Sequence, residues 1–580
     1  MRKVIVALAA AGVGSLVLQA STAAGQRAAA AQAGFSVFEA SIPEMQAAMK
    51  SGRTTSDEIV QQYLTRIATY EDTLHAAITV NPRALQEADE RDAERRQGRI
   101  RGPLHGIPVA LKDNIHTTDM RTTGGALAFI DLVPPYEATL AKNLTDAGAI
   151  IIAKTGLTEL ANWVSSNMPG DYNAVGGYGM NPYDPRRDPR PSADGRPVMQ
   201  TGGSSSGIGT AANFWAANVG SETSGSILSP SNQNMLAAVK PTVGRVSRHG
   251  VIPITADQDT PGPMAKFVAD AAIMLGALEG ASPDPDDPAT KTCTAPSNHD
   301  YTPFLRADGL KGARIGIPRA NFYTPVSVPG SDRPRGGLNP AQTAVMEEAI
   351  AVLKAQGAIV VDPVEIPSVT ASNPKDNFLL WGICSGANNA RGKDDDCSVV
   401  LKYGMKRDFN KWLASLGPAA PVKSLTALRE WNTAHERAGA IKYGQSQLDI
   451  SDEMDVDRDK ARFEADRAKD IRLGGTDGID AAMKSNRLDA LLFPGPSGAA
   501  IAARPGYPTV IVPFGMVPNA PFNPNPNAAP GNPFPPGFDP KPQPFGVSFT
   551  GMACSEPTLL RLAYAFEQGT KKRTPPPGLR

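Results

Sequence analysis

The chain has 580 residues, 41% of them apolar, which is enough to bury a sizeable core and exceeds the length of one ordinary domain. Lysine plus arginine and aspartate plus glutamate both number 58, so the formal net charge is zero, and no basic run offers the footprint of a nucleic-acid binder. Four cysteines with no CxxC pair and no His/Cys cluster argue against zinc.

The N-terminus reads as a targeting segment. Arg2 and Lys3 precede an apolar run over 4–18, and small residues follow at 20–24, which is the pattern of a cleaved secretory signal. Residues 1–24 are therefore set apart from the fold, and the protein is expected to be exported, periplasmic or secreted. No later stretch reaches the roughly 20 apolar residues of a membrane span. In an oxidising compartment Cys384 and Cys397 are close enough in sequence for a local disulfide, whereas Cys293 and Cys554 can pair only if the fold joins them.

The first folded piece is helical. Ser41 and Glu44, then Thr55 and Glu58, have capping-box form ahead of a short helix ended by Gly52 and a longer one. In the longer helix Ile59, Val60, Tyr63, Leu64 and Ile67 recur at helical spacing, so one face is buried. A strand over 76–80 and a charged helix over 82–97 follow. From 106 to about 316, short apolar runs alternate with helical segments. Strands are expected at 107–111, 149–153 and 314–317, and helices at 138–147, 207–217 and 267–278. This is the pattern of an α/β core with a mixed sheet covered by helices on both sides. Residues 184–198, rich in Pro, Arg and Asp, read as a surface insertion. After Pro340 come a helix, a strand at 359–361 and a mainly helical, charged region over about 374–480 that reads as a cap. Strands at 488–493 and 508–512 return to the sheet. A Pro-rich insertion over about 518–544 follows, and the chain closes on a helix at 558–568. One large domain over 35–572 accommodates all of this.

Three features carry chemistry. Lys112 follows the apolar run Ile107 to Leu111 and so emerges at a strand end. Burial there would lower its pKa and supply the neutral amine of a general base. Ser226 lies in Ser224-Gly225-Ser226, where the glycine lets the backbone N–H groups of Thr223, Ser224, Gly225 and Ser226 converge on one point, as an oxyanion site requires. The cluster from Gly202 to Gly207 lacks the lysine of a phosphate-binding loop. Gly203, Ser205 and Gly207 do spell the G-x-S-x-G of a nucleophile elbow, which would make Ser205 the nucleophile of an esterase with His249, His299 or His435 as its base. Alternatively Ser204 relays between Ser226 and Lys112.

These residues resemble the amidase signature family. The likeness rests on Leu104 to Lys112, on Gly202 to Gly207 and on Gly220-Ser-Glu-Thr-Ser-Gly-Ser226. It continues through Lys240 to Pro253, Asp259 to Met264, Asn181 to Tyr183, Leu488 to Ala490, Gly506 to Pro508 and Leu559 to Gln568. The spacing from Ser204 to Ser226 is two residues shorter than the family pattern, which leaves Ser204 and Ser205 both open as the bridge. The resemblance implies a Ser-cisSer-Lys amidase without metal or cofactor. In it Ser226 forms the acyl-enzyme, Ser204 bridges on a cis peptide, Lys112 is the base and the N–H groups of 223–226 form the oxyanion hole. A small-molecule or peptide amide would be the substrate. A non-catalytic secreted binding protein on the same scaffold is the remaining reading, and the oligomeric state stays open.

Overall fold

The computed structural model describes residues 34–203, 205–386, 396–519 and 533–579. The expected signal segment, Ser204 and the middle of the Pro-rich insertion lie outside the described residues. Both expected capping boxes are present: Ser41 with Glu44 starts α1 (Ile42–Lys50), and Thr55 with Glu58 starts α2 (Ser56–Leu74). Ile59, Val60, Tyr63 and Ile67 are buried, while Leu64 is half-buried at the edge of that face. The charged helix α3 (Ala84–Arg96) follows β1 (Ala77–Val80).

The core is a mixed sheet of 11 strands flanked by helices. Besides β1 these are β2 (Pro108–Lys112), β3 (Ile150–Thr155), β4 (Ala217–Glu222), β5 (Ala237–Lys240) and β6 (Thr260–Ala265). The others are β7 (Arg314–Gly316), β8 (Ile359–Val361), β9 (Ala490–Pro494), β10 (Thr509–Val517) and β11 (Gln543–Thr550). Across the sheet they run β1, β3, β2, β4, β6, β5, β10, β11, β9, β7, β8. β2 lies between β3 and β4, parallel to both, and all five of its residues are buried. A strand enclosed on both faces carries a continuous apolar run, which is why this one is readable from the sequence. β4 to β6, β6 to β5 and β5 to β10 pair antiparallel, so the sheet changes direction beside β4.

The expected helix at 207–217 is a correction. Only Ile208–Ala211 is helical, and the chain then turns at Asn213 (φ 57°) to enter β4 at Ala217. The aromatic pair explains the break. Trp215 folds back onto Gly209, where a Cβ would come within 2.1 Å of the indole, and its Nε1 donates to Thr210 Oγ1 at 2.8 Å. Ala216 N then donates to Pro108 O, which starts the pairing with β2. β4, β5, β6 and β11 were not expected as strands, and β11 begins inside the end of the expected Pro-rich insertion.

Helices α4 (Thr139–Asp146), α5 (Val268–Glu279), α6 (Pro340–Ala355) and the C-terminal Glu556–Thr570 flank the sheet. Helices Val400–Ser415, Leu425–Ala434, Ser446–Asp452 and Lys460–Ile471 form a further layer. That layer holds the loop 163–173 through Gln447 N donating to Val164 O (3.0 Å) and Ser165 Oγ donating to Tyr443 O (2.8 Å). Buried Asp470 ties it to the core by accepting from Trp381 Nε1, Ser398 Oγ and Arg504 Nη1 at 2.6–2.8 Å. Both candidate disulfides are formed, Cys384 with Cys397 and Cys293 with Cys554. Among the described residues no helix is long and apolar enough to cross a membrane.

Candidate active site

The end of β2 delivers Lys112 into the protein, where it is fully buried. The parallel register sets Leu111 opposite Val219, so Lys112 meets the end of β4. Its Nζ donates to Ser221 Oγ at 2.9 Å and to Ser221 O at 3.1 Å, and Asn114 Nδ2 also donates to Ser221 Oγ at 3.0 Å. Burial drives its pKa down to about 7, against the opposing fields of Asp259, Glu222 and Asp171. The neighbouring buried lysine on β3 differs: Lys154 Nζ is ion-paired with Asp113 at 3.2 Å. Among the described residues Lys112 has no such ion pair, and burial takes it lower than the other buried lysines Lys240 and Lys266, which are brought down to about 8.

Beyond β4 the chain turns through 223–227, and both ends of that turn are fixed by carboxylates. Thr223 Oγ1 donates to Asp259 Oδ1, whose other oxygen accepts from Ile254 N and Thr255 N at 2.9 Å. Glu222 Oε2 accepts from Ile227 N at 2.7 Å and Leu228 N at 3.0 Å. Gln258 Nε2 adds a bond to Thr223 O at 3.2 Å. Between these anchors Gly225 takes φ +95°, a left-handed conformation that suits glycine. Among the described residues the N–H groups of Thr223, Ser224 and Gly225 have no acceptor. Ser226, half-buried, follows directly. The turn is thus a fixed array of donors next to a hydroxyl, which suits a developing negative charge.

The nucleophile-elbow reading of Ser205 fails. Its hydroxyl is fully buried, donates to Ser221 O at 3.0 Å and accepts from Ser221 N at 3.2 Å, so it braces β4. Among the described residues no histidine hydrogen-bonds to it. His299 pairs with Glu279, His435 turns to Trp431 O, and the His249 ring lies 4.9 Å from that of Tyr136. Ser204, the other candidate bridge, lies outside the described residues.

Ser221, Glu222 and Asp259 lie inside the stretches that carry the family resemblance and Asn114 closes the segment after Lys112, but the sequence assigned none of them, nor Asp171, a role. Glu222 left one signal, as the sole charge at the end of the uncharged run Ala217 to Ser221. Asp259 opens one of the stretches that carry the resemblance, but its role depends on the register that sets Glu222 opposite Thr260. An open cavity of about 440 Å³, with Tyr136, His249 and Trp412 among its walls, also touches Arg248 and Asp259. Those last two residues line in addition a small space that reaches Ser221 and Thr223.

A mixed α/β sheet that places a desolvated lysine beside a serine-rich turn defines the molecule as an enzyme of the hydrolytic kind. The family model described as Amidase matches residues 58–560. The chain belongs to the amidase family, whose members act on C–N amide bonds. It is 32% identical over 548 residues to a probable amidase of Arabidopsis thaliana, covering 93% of this chain and 92% of that one. It is similar to the crystal structure of the native peptide amidase from Stenotrophomonas maltophilia, at 36% identity and a TM-score of 0.76, covering 93% and 98% of the two chains. A third relative, from the glutamyl-tRNA(Gln) amidotransferase of Chloroflexus aurantiacus, is 36% identical over 347 residues, 60% of this chain and 64% of that one.

Proposed function

We propose that the protein is an exported amidase that hydrolyses the C–N bond of a small-molecule or peptide carboxamide through a Ser226 acyl-enzyme. The observation that carries this reading is Lys112: a buried amine with its pKa lowered to about 7, hydrogen-bonded to Ser221 in the strand that leads into the turn bearing Ser226. Ser226 Oγ attacks the carbonyl carbon, and its proton passes through Ser204 to Lys112. The N–H groups of 223–226 receive the oxyanion. As the C–N bond breaks, Lys112 returns the proton to the leaving nitrogen. Water then cleaves the ester by the reverse route, with Lys112 again as base.

Peptide amides are favoured within this class by the likeness to a peptide amidase over nearly the whole chain. Export is supported by the N-terminal pattern and by two disulfides with no free cysteine among the described residues. Export also argues against transfer-RNA transamidation, the work that the name of the third relative describes.

The test is turnover of aryl, aliphatic and peptide amides by Ser226→Ala, Lys112→Ala and His249→Ala. The first two are expected to lose about 10²-fold to 10⁴-fold in kcat, and the third to stay near wild type. In the wild type kcat/KM should rise with pH through about 7 as Lys112 loses its proton. Undiminished activity in Lys112→Ala would refute the assignment of the base.

A further inference from the structure

The amine of Lys112 is held on two sides by a single residue. Among the described residues its Nζ has two partners, Ser221 Oγ at 2.9 Å and Ser221 O at 3.1 Å, near the end of β4. Each acceptor is itself fixed. Ser221 O also accepts from Ser205 Oγ at 3.0 Å, and Ser221 N donates to the same hydroxyl at 3.2 Å, which pins the carbonyl in place. Ser221 Oγ also accepts from Asn114 Nδ2 at 3.0 Å. That Nδ2 reaches Ile252 O at 3.4 Å as well, which sets the amide with its donor, and not its carbonyl, toward Ser221. Lys112, Asn114 and Ser221 are all buried, so water does not stand in for any of these partners.

A neutral amine has two N–H groups and a lone pair, and an ammonium has a third N–H in the lone pair's place. With Cε and the two bonds to Ser221 assigned, a single tetrahedral position of Nζ is left. It carries the lone pair when Lys112 takes a proton and the third N–H when Lys112 gives it back. We propose that Ser221 and Asn114 are positioning residues for Lys112: Ser221 keeps the same two bonds in both states of the amine, so that the proton enters and leaves along one direction, and Asn114 holds the Ser221 hydroxyl in the rotamer that permits this. The inference rests on the reading of Lys112 as the base. The lysine stem is flexible, and an amine without these two acceptors would spread its lone pair over several directions. The carboxylates whose fields reach the amine are Asp259, Glu222 and Asp171. Asp259 and Glu222 are tied to backbone N–H groups, and the nearby Lys154 is ion-paired with Asp113. None of these groups is altered by the substitutions below, so a moved pH profile reports on the bonds to Ser221.

The test is kcat, KM and the pH profile of kcat/KM in Ser221→Ala, Ser221→Thr, Asn114→Ala and the double variant Ser221→Ala/Asn114→Ala. The bond to Oγ is stronger from the ammonium than from the amine, so losing it in Ser221→Ala disfavours the charged form and should move the acid limb down by about half a pH unit to one. With the amine less well aimed, kcat should fall about 10-fold at the plateau with KM unchanged. Ser221→Thr keeps the hydroxyl and should recover both. Asn114→Ala should act the same way by less, and should add nothing in the Ser221→Ala background, because it works through that hydroxyl. A packing role alone would lower activity with the limb in place. Should the other variants fail to fold, Ser221→Ala, which deletes a single oxygen, decides. An unmoved limb in Ser221→Ala, or additive losses in the double variant, with Lys112→Ala inactive, overturn this inference alone; activity in Lys112→Ala overturns the reading of the base beneath it.

Discussion

Replacing Lys112 by methionine should make the protein more stable at neutral pH while abolishing catalysis. Methionine keeps the length of the apolar stem and removes the charge. Burial lowers the lysine from an ordinary value of 10.5 to about 7. Between those values the unfolded chain binds a proton that the folded chain does not, so wild-type stability rises with pH across that window, and the full penalty applies below it. At one unit per 1.36 kcal/mol the penalty is about 4 kcal/mol at pH 7 and below about 1 kcal/mol at pH 10. The substitution also deletes two donated bonds, but Ser221 Oγ keeps Asn114 and Ser221 O keeps Ser205. Their loss costs about 1 kcal/mol.

The variant should therefore gain about 3 kcal/mol at pH 7, with the difference closing toward zero at pH 10. Urea unfolding of both proteins at the two pH values measures it. Only the difference between the proteins is informative, because Lys240 and Lys266, both lowered to about 8, titrate in the same window in each. A stability difference that does not change with pH, or a variant less stable at pH 7, would refute the claim that Lys112 is held without its proton at a cost to the fold.

The remaining predictions concern the turn and the cross-links. Glu222→Ala frees Ile227 N and Leu228 N and so loosens the turn that aims Ser226; kcat should fall about 10²-fold with little change in KM, and Glu222→Gln should recover part of the loss. An equal effect on KM would mean that Glu222 serves binding. Removing the Cys293–Cys554 bond, which closes a separation of 261 residues, should destabilise by about 5 kcal/mol, against about 3 kcal/mol for Cys384–Cys397 at a separation of 13. Denaturant unfolding of the paired serine variants would show the order, and the reverse order would count against loop closure as the source.

The limits of the sequence reading follow from how each part of the site is built. β2 and β3 were visible because strands buried on both faces need unbroken apolar runs, and Lys112 stands out as the charge that ends one of them. β6 was hidden because Thr260-Pro-Gly-Pro263 contradicts what a central strand should contain. The structure removes the contradiction: β5 pairs only with Met264 and Ala265, so the two prolines sit where the strand has a partner on one side, β4. That concealed strand is also what brings Asp259 to Thr223, since the register pairing Glu222 with Thr260 places the two residues just past the pair. The contact of Asp259 with the Ser226 turn was therefore unreadable for the same reason as the strand, although Asp259 itself stands in a stretch that carries the resemblance. Lys112 and Ser226 are chemistry written locally, in a strand end and a Ser-Gly-Ser turn. Asp171, Glu222 and Asp259 become chemistry only through sheet register and loop closure, neither of which has a local sequence signature.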